Sequence, residues 1–455
     1  MRGLRSTIAL FVVLIGLGAY IYFVTWKQPA QDSGSKLEKV FTSVQADQLD
    51  ELKLKAESGD VTTLKKTSGA WTLVAPVAAA ASETDVSSVA SALSGLEIER
   101  VIDENPTDVK DYGLETPRLE IDFKAGGGQS SGRLIVGSKT PTGASMYARR
   151  NDEKRVFLIP EYQNLPLNKS TFDLRDKALI KIERDKIDGL EINVVNVGGS
   201  AGPALQLVKA GSEWKLTRPL EARADSGLVD ALLGRVETAQ IKSVVADNAT
   251  TADLKKYGLE RPEITVTLHL GGARATLAFG GKAGADALYA RDASKPIVVT
   301  VDNSLADDAR KSAQDYRRKE VFEFRAFNAT RAEFIRGSQT IVFERVKGPG
   351  EAAPDTWRRV SPNPADADRS KVETLLAELA DMRATSFLPS TARTGLDSPA
   401  LTVVVSFDEG KKQERVGFGR NGQDVFALVP GQPGAAKTDA EQFIEANKTL
   451  DELAK

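Results

Sequence analysis

A six-residue phrase that begins with tryptophan and ends with proline occurs three times in this chain. It reads WTLVAP at residues 71–76, WKLTRP at 214–219 and WRRVSP at 357–362. The three tryptophans are spaced 143 residues apart, in a chain of 455 residues that has four tryptophans in all. This spacing indicates a unit of about 140 residues present in three copies, each long enough to bury its own core.

The repeat continues beyond this phrase into a predicted helix. Ser82, Asp225 and Asp368 keep the same spacing, and side chains of these types are favoured N-caps. The positions that follow share an apolar stripe at helical spacing: Val86, Val89, Ala90, Leu93, Leu96; Val229, Leu232, Leu233, Val236, Ala239; Val372, Leu375, Leu376, Leu379, Met382. We therefore predict one amphipathic helix in each unit.

A second shared block follows this helix. The strings DYGLETP and KYGLERP end at Pro117 and Pro262, and the third copy keeps GLDSP, which ends at Pro399. After each proline, apolar and polar residues alternate with the period of a half-buried strand. The connections between these strands are short, which favours antiparallel hairpins. The predicted class is α+β: three tandem copies of an antiparallel sheet plus a helix, after an N-terminal transmembrane helix.

The block ends in two further strands. The first ends at Gly137, Gly280 and Gly419 in the three copies. The next carries Tyr-Ala-Arg at residues 147–149 and 289–291, and Phe-Ala-Leu at 426–428. The third copy has therefore lost both the Tyr-Ala-Arg motif and the tyrosine of Tyr-Gly-Leu, so a function of those residues belongs to the first two units.

The N-terminus carries a predicted membrane span. Residues 6–26 contain no charge, and about 20 residues at ~1.5 Å each cross the ~30 Å hydrocarbon core. Arg2 and Arg5 precede this stretch, which places the N-terminus in the cytoplasm. We predict a signal anchor in the bacterial inner membrane, with most of the chain outside the cytoplasm. A cleaved signal peptide and a buried soluble helix are the alternatives.

The predicted organisation follows from the span and the repeat. Residues 1–6 are cytoplasmic, 7–26 span the membrane and 27–40 form a linker. The repeat units cover residues 41–180, 181–324 and 325–455. No long Gly/Ser-rich or Pro-rich linker separates them, so we expect a semi-rigid row.

Composition excludes several kinds of chemistry. The chain has no cysteine, which removes disulfides, thiolate metal sites and a cysteine nucleophile. Its one histidine, His269, cannot form a usual zinc site alone, and no G-x-S-x-G motif accompanies it. The 61 basic and 63 acidic residues nearly balance, which argues against a nucleic-acid partner. We predict a protein that is not an enzyme, with no cofactor and no metal.

Four polar residues remain as candidates for binding a ligand or a partner: Tyr147, Arg149, Tyr289 and Arg291. In a strand, residues two apart point to one face, so each tyrosine stands beside its arginine. A guanidinium beside a phenol can bind carboxylate, phosphate or sugar. Alternatively, each arginine pairs with an acidic residue and completes the core of its unit.

The order of these motifs after a membrane span resembles the bacterial domain-of-unknown-function 4340 family. That family has no established activity, and the resemblance implies association with gliding-motility-type ABC transporter components. Our first hypothesis is therefore a membrane-anchored scaffold or accessory protein with cell-envelope partners. The alternative is a module that binds glycan or lipid headgroups, or a carboxylate-dependent enzyme, built on the first two units.

Overall fold

The computed structural model describes residues 37–42, 44–195, 202–348, 354–390 and 392–455. The chain divides into two compact units, Met1–Lys177 and Ala178–Lys455. The predicted membrane span at 7–26 lies outside the described residues. Among the residues that are described, no helix is both long enough and apolar enough to cross a membrane.

The first compact unit contains one antiparallel sheet of nine described strands. They are β1 Leu49–Lys55, β2 Val61–Thr67, β3 Ala70–Ala75, β4 Ala79–Ala80, β5 Arg100–Asp103, β6 Leu119–Ala125, β7 Ser130–Lys139, β8 Ser145–Arg150 and β9 Val156–Pro160. Their order across the sheet is β4-β3-β2-β1-β6-β7-β8-β9-β5. Most neighbours are consecutive hairpins, as the short connections predict.

Helix α1, Glu83–Gly95, connects β4 at one edge of this sheet to β5 at the other. Its N-cap Ser82 accepts a hydrogen bond from the backbone N–H of Asp85, as predicted. The apolar stripe of α1 packs on the inward face of the sheet and forms the core of the unit. Two short helices follow β9: α2 Asn164–Leu167 and α3 Thr171–Leu174.

The second compact unit contains two further nine-stranded antiparallel sheets among its described residues. The first has β10 Gly189–Val194, β11 Leu205–Ala210, β12 Glu213–Arg218, β13 Ala222–Arg223, β14 Ser243–Ala246, β15 Ile264–Leu270, β16 Ala273–Lys282, β17 Ala287–Asp292 and β18 Val298–Asp302. The second has β19 Ala329–Arg336, β20 Gln339–Val346, β21 Thr356–Ser361, β22 Ala365–Ala367, β23 Ala384–Leu388, β24 Leu401–Phe407, β25 Lys412–Asn421, β26 Asp424–Leu428 and β27 Ala435–Thr438. Both repeat the strand order of the first sheet, which confirms three tandem sheet-plus-helix copies.

The helices of the second unit follow the same plan until the C-terminus. They are α4 Ser226–Glu237, α5 Thr251–Lys256, α6 Ser304–Asp307, α7 Arg369–Ala380 and α8 Ala440–Ala454. The predicted N-caps Asp225 and Asp368 accept from the N–H groups of Leu228 and Lys371. Helix α8 is longer than the short helices that follow β9 and β18 in the first two repeats. It fills the third core with Phe443, Ala446 and Leu450.

The repeated tryptophans are core residues, as predicted. Trp71, Trp214 and Trp357 are 6%, 4% and 1% exposed. Each faces a basic residue across its hairpin: Lys66, Lys209 and Arg345 respectively. The prolines that close the three phrases all follow cis peptide bonds.

A short segment before each sheet bridges to a residue that lies two or three positions after the end of the helix packed on that sheet. These bridges pair Lys39 with Glu97, Ala178 with Gln240, and Glu320 with Arg383. The entry into each sheet is therefore fixed by its own helix end. The boundaries at 41–180, 181–324 and 325–455 remain a prediction.

Candidate functional site

The Tyr-Ala-Arg motifs lie on β8 and β17, on the sheet face opposite the helix. Ala148 and Ala290 are the middle residues of the two motifs, and both are fully buried on the helix side of the sheet. Tyr147 and Tyr289 point to the other side, which we call the open face, and are half-buried there. The structure therefore places tyrosine and arginine of each motif on one face, as alternation in a strand requires.

Each motif tyrosine packs against the tyrosine of its own Tyr-Gly-Leu turn. The ring centroids of Tyr112 and Tyr147 are 5.0 Å apart, and those of Tyr257 and Tyr289 are 4.6 Å apart. In the first repeat this pair extends a small apolar cluster with Leu114. An equivalent cluster with Leu259 exists in the second repeat. The tyrosines thus help to fasten the turn onto the open face.

Two glycines make this close packing possible. Gly113 ends the turn in the left-handed region, at φ 68°, where glycine has no steric penalty. Gly137 on β7 lies directly beneath, and a Cβ at that position would collide with the carbonyl oxygen of Tyr112. The same contact joins Gly280 to Tyr257. The Tyr-Gly-Leu turn therefore packs directly on the glycine-ended strand, which explains why the two motifs occur together in a repeat.

The third repeat keeps this glycine contact without the tyrosines. Gly395 has φ 71°, and a Cβ on Gly419 would collide with the carbonyl oxygen of Thr394. Leu428 occupies the arginine position and is 52% exposed. Neither the tyrosine pair nor the arginine is required for the turn to pack.

The two motif arginines have different surroundings. The Nε atom of Arg149 is buried and has no hydrogen-bond partner. An Nη of Arg291 donates to the carbonyl oxygen of Ala293 at 2.8 Å. Within the described part of the chain, neither guanidinium forms an ion pair with a carboxylate. The acidic partner that the structural alternative predicts is thus missing for both.

The open face of the first repeat carries a network of ion pairs that the motifs did not reveal. Glu120 pairs with Lys55 at 2.9 Å and with Arg133. Glu51 pairs with Lys124 at 3.2 Å. A shallow depression of about 560 Å³ lies over this face. The alternation of charged and apolar residues in β1 and β6 was the available sequence signal.

Hydrogen bonds within this network set the pKa of Glu120. Burial alone would raise this pKa, but the hydrogen bonds from Lys55 and Arg133 outweigh burial and hold it below its usual range. Strand register aligns β15 of the second repeat with β6 of the first. In this alignment Thr265 and Thr267 stand where the first repeat has Glu120 and Asp122. The ion pairs of Glu120 therefore have no equivalent at these positions of the second repeat.

Arg317 forms the joint between the second and third repeats, and its burial was not predicted. It is 2% exposed, and its Nε donates to Oε1 of Gln432 at 3.0 Å. An Nη donates to the carbonyl oxygen of Pro433 at 2.8 Å, and the guanidinium stacks 3.6 Å above the ring of Phe387. Burial lowers the pKa of Arg317 to about 10. An arginine of the second repeat is therefore enclosed by side chains of the third.

A second contact supports the same joint. Arg223 of the second repeat pairs with Glu323, and Nε2 of Gln432 donates to the carbonyl oxygens of Arg223 and Arg318, each at 3.2 Å. Oxygens of Glu414 accept from the backbone N–H groups of Glu323 and Phe324. Burial raises the pKa of Glu414. Side chains from both repeats thus fix the connecting segment.

Across the described ranges, no group of three or more His, Asp or Glu side chains has the geometry to hold a metal ion. Tyr147 and Arg149 lie on one sheet, and Tyr289 and Arg291 lie on another. The third repeat has neither pair.

Comparison with known families gives one match. The profile of the family described as "Domain of unknown function (DUF4340)" matches residues 71–213, 214–356 and 357–455. Each match begins at a repeated tryptophan, in the third strand of a sheet rather than at its first. No curated protein is detectably similar to this chain.

Proposed function

The chain belongs to the DUF4340 family, and from that premise we propose that it is a membrane-anchored, extracytoplasmic scaffold or accessory protein without catalytic activity. The proposed partner is an ABC-type transporter or another cell-envelope complex. The uncharged stretch at residues 6–26 supports the anchor, with a single pass through the bacterial inner membrane. The partner class rests on the family resemblance.

The joint at Arg317 carries the scaffold proposal. A flexible linker is sufficient when a chain only needs reach. Here a buried arginine and its hydrogen bonds, together with those from Gln432 to the Arg223 and Arg318 carbonyl oxygens, fix the third repeat against the second. A fixed orientation between two domains supports a protein that presents two surfaces to one large partner.

Purification from membranes tests this function. The full chain, tagged after Lys455 and extracted in mild detergent, should recover the same set of membrane or envelope proteins in repeated preparations. The predicted span fused to an unrelated domain is the control and should not recover them. Repeated recovery of the chain without any partner would contradict the scaffold proposal.

A second candidate function uses the Tyr-Ala-Arg motifs. The buried Nε of Arg149, which lacks a partner, favours a bound glycan or lipid headgroup in the first repeat. A carboxylate-dependent enzyme on these two repeats is the remaining form of this alternative. The packing of each motif tyrosine in an apolar cluster favours a structural role instead.

Lysine substitutions distinguish the two roles. In the variant that carries Arg149→Lys and Arg291→Lys, charge is kept but the planar fork is lost. We expect stability to fall by about 1 kcal/mol, because the hydrogen bond from Arg291 to the Ala293 carbonyl oxygen is lost, with flat glycan and lipid array profiles for wild type and variant alike. Wild-type stability together with lost array binding would favour the ligand site.

A further inference from the structure

The two most exposed apolar side chains of the first repeat stand together after β9. Tyr162 is 70% exposed and Leu165 is 80% exposed. They lie three residues apart on consecutive helical turns, Glu161–Gln163 and α2, so they project on the same side. We call this pair the apolar tip.

The segment that carries the apolar tip is held firmly at both ends. The backbone N–H of Glu161 donates to the carbonyl oxygen of Ala144 at 2.9 Å, and Lys139 pairs with the Glu161 carboxylate at 2.5 Å. Leu167, at the end of α2, is fully buried in the core. Tyr162 and Leu165 are therefore held outward by an anchored segment.

The second repeat provides the comparison that makes the tip informative. Its β18 ends at Asp302 as β9 ends at Pro160, and the Ser312–Asp315 pair corresponds to the Ser170–Asp173 capping box. The residue spacing is the same at both ends of the segment, which aligns Tyr162 with Ser304 and Leu165 with Asp307. Both counterparts are exposed as well. The fold therefore places these two positions in solvent, and only the first of these repeats fills them with apolar residues.

The position of the first repeat along the chain suggests what covers the tip. The predicted span ends at residue 26 and the described structure starts at residue 37. The ten residues between them reach at most about 33–36 Å, so the first repeat stays beside the bilayer. The second repeat is separated from the predicted span by the whole of the first repeat. Apolar residues at these positions thus occur in the repeat that is tethered next to lipid.

We propose that Tyr162 and Leu165 insert into the membrane interface and give the first repeat a second contact with the bilayer. This inference rests on the proposed membrane anchor. Tyrosine is enriched at the depth of the headgroups, and leucine partitions into the acyl region beneath. Because the anchor raises the effective concentration of the tip at the surface, two side chains are sufficient for a lasting contact.

A lipid-quenching experiment tests this contact. The chain contains no cysteine, so Leu165→Cys can be labelled at one site with a polarity-sensitive dye. Asp307→Cys, at the aligned position in the second repeat, is the matched control. The full-length chain is reconstituted in vesicles of phosphatidylethanolamine and phosphatidylglycerol with spin-labelled lipid. We expect quenching at position 165 to exceed quenching at position 307 by about twofold or more.

Two further readouts separate the possible outcomes. Tyr162→Ser in the Leu165→Cys background should reduce the quenching at position 165, because it removes the remaining side chain of the tip. Vesicle flotation reports the anchor independently of the dye.

A chain that floats but shows equal, weak quenching at positions 165 and 307 overturns the inference and leaves the proposed anchor intact. Shielding of position 165 from iodide without lipid quenching would indicate a protein contact and also overturn it. A chain that does not float overturns the anchor itself.

Discussion

At the scale of single residues, glycine determines how the Tyr-Gly-Leu motif works. The turn and the strand beneath it touch through main-chain atoms, so the strand position tolerates no side chain. Gly137, Gly280 and Gly419 fill this position in the three repeats. The tyrosines add an aromatic contact in two repeats only. The motif is therefore foremost a packing motif, which explains why it outlasts the polar residues around it.

Alanine at Gly137 should destabilise the first repeat. The added methyl group would force the turn at Tyr112 away from β7, at a cost of about 1–3 kcal/mol for overpacking. Chemical unfolding of the full-length chain measures this change. Gly95→Ala is the control, because a Cβ added at Gly95 would meet no heavy atom within 4 Å. Equal stability of the two variants would contradict the close contact.

At the scale of secondary-structure elements, the two faces of each sheet differ in what they share between repeats. The inward face pairs with the capped helix and the tryptophan, and these features recur in all three copies. The open face recurs in the contact between turn and glycine, but its charged positions differ: Glu120 in the first repeat aligns with Thr265 and Thr402 in the others, by strand register. Burial constrains residue type strongly on one face and weakly on the other.

Removing one tryptophan should affect the repeat that contains it. Trp71→Ala should cost about 3–5 kcal/mol, the range for a large aromatic side chain removed from a core. The loss should appear as faster amide hydrogen exchange in β1 to β9, with the second compact unit unchanged. Trp214→Ala provides the reciprocal experiment. Faster exchange throughout the chain from either variant would mean that the repeats unfold as one cooperative block.

At the scale of the whole molecule, the described structure shows three similar domains, the last of which carries a long additional helix. The last repeat is closed by α8, whose Phe443 and Leu450 complete the core that earlier repeats complete differently. Terminal copies in repeat proteins often carry such atypical caps. Within the second compact unit, the Arg317 joint links two domains into one body.

Methionine at Arg317 should weaken this joint. The substitution keeps the apolar stem but leaves Oε1 of Gln432 and the Pro433 carbonyl without their donor, a loss of about 1–3 kcal/mol. Thermal unfolding should show the second and third repeats melting in separate steps. Arg358→Met, at an exposed arginine of the same unit, is the control and should melt like wild type. An unchanged single transition in the Arg317 variant would show that the joint adds no coupling.

Membrane topology gives the last prediction. A reporter fused after Lys455 should be active only outside the cytoplasm, because the positive-inside rule predicts that Arg2 and Arg5 keep the N-terminus inside. Paired reporters that function only in the cytoplasm or only outside it measure this directly. Cytoplasmic activity at this position would contradict the signal anchor.

The order of residues alone predicts the number of repeats, the capped helix in each and the antiparallel character of the sheets. These features depend on local periodicity and on residue types at fixed spacing, which a repeat displays three times. A repeat can nevertheless be divided at any phase, and the family matches begin at Trp71, within the sheet. Hydrogen bonding between strands shows that β1 and β2, which precede Trp71 in the chain, belong to the same sheet as β3. The candidate site and the joint likewise depend on contacts that residue order does not show. The contact of Gly137 with Tyr112 and the enclosure of Arg317 by Gln432 join residues far apart in sequence, so only the tertiary structure could reveal them.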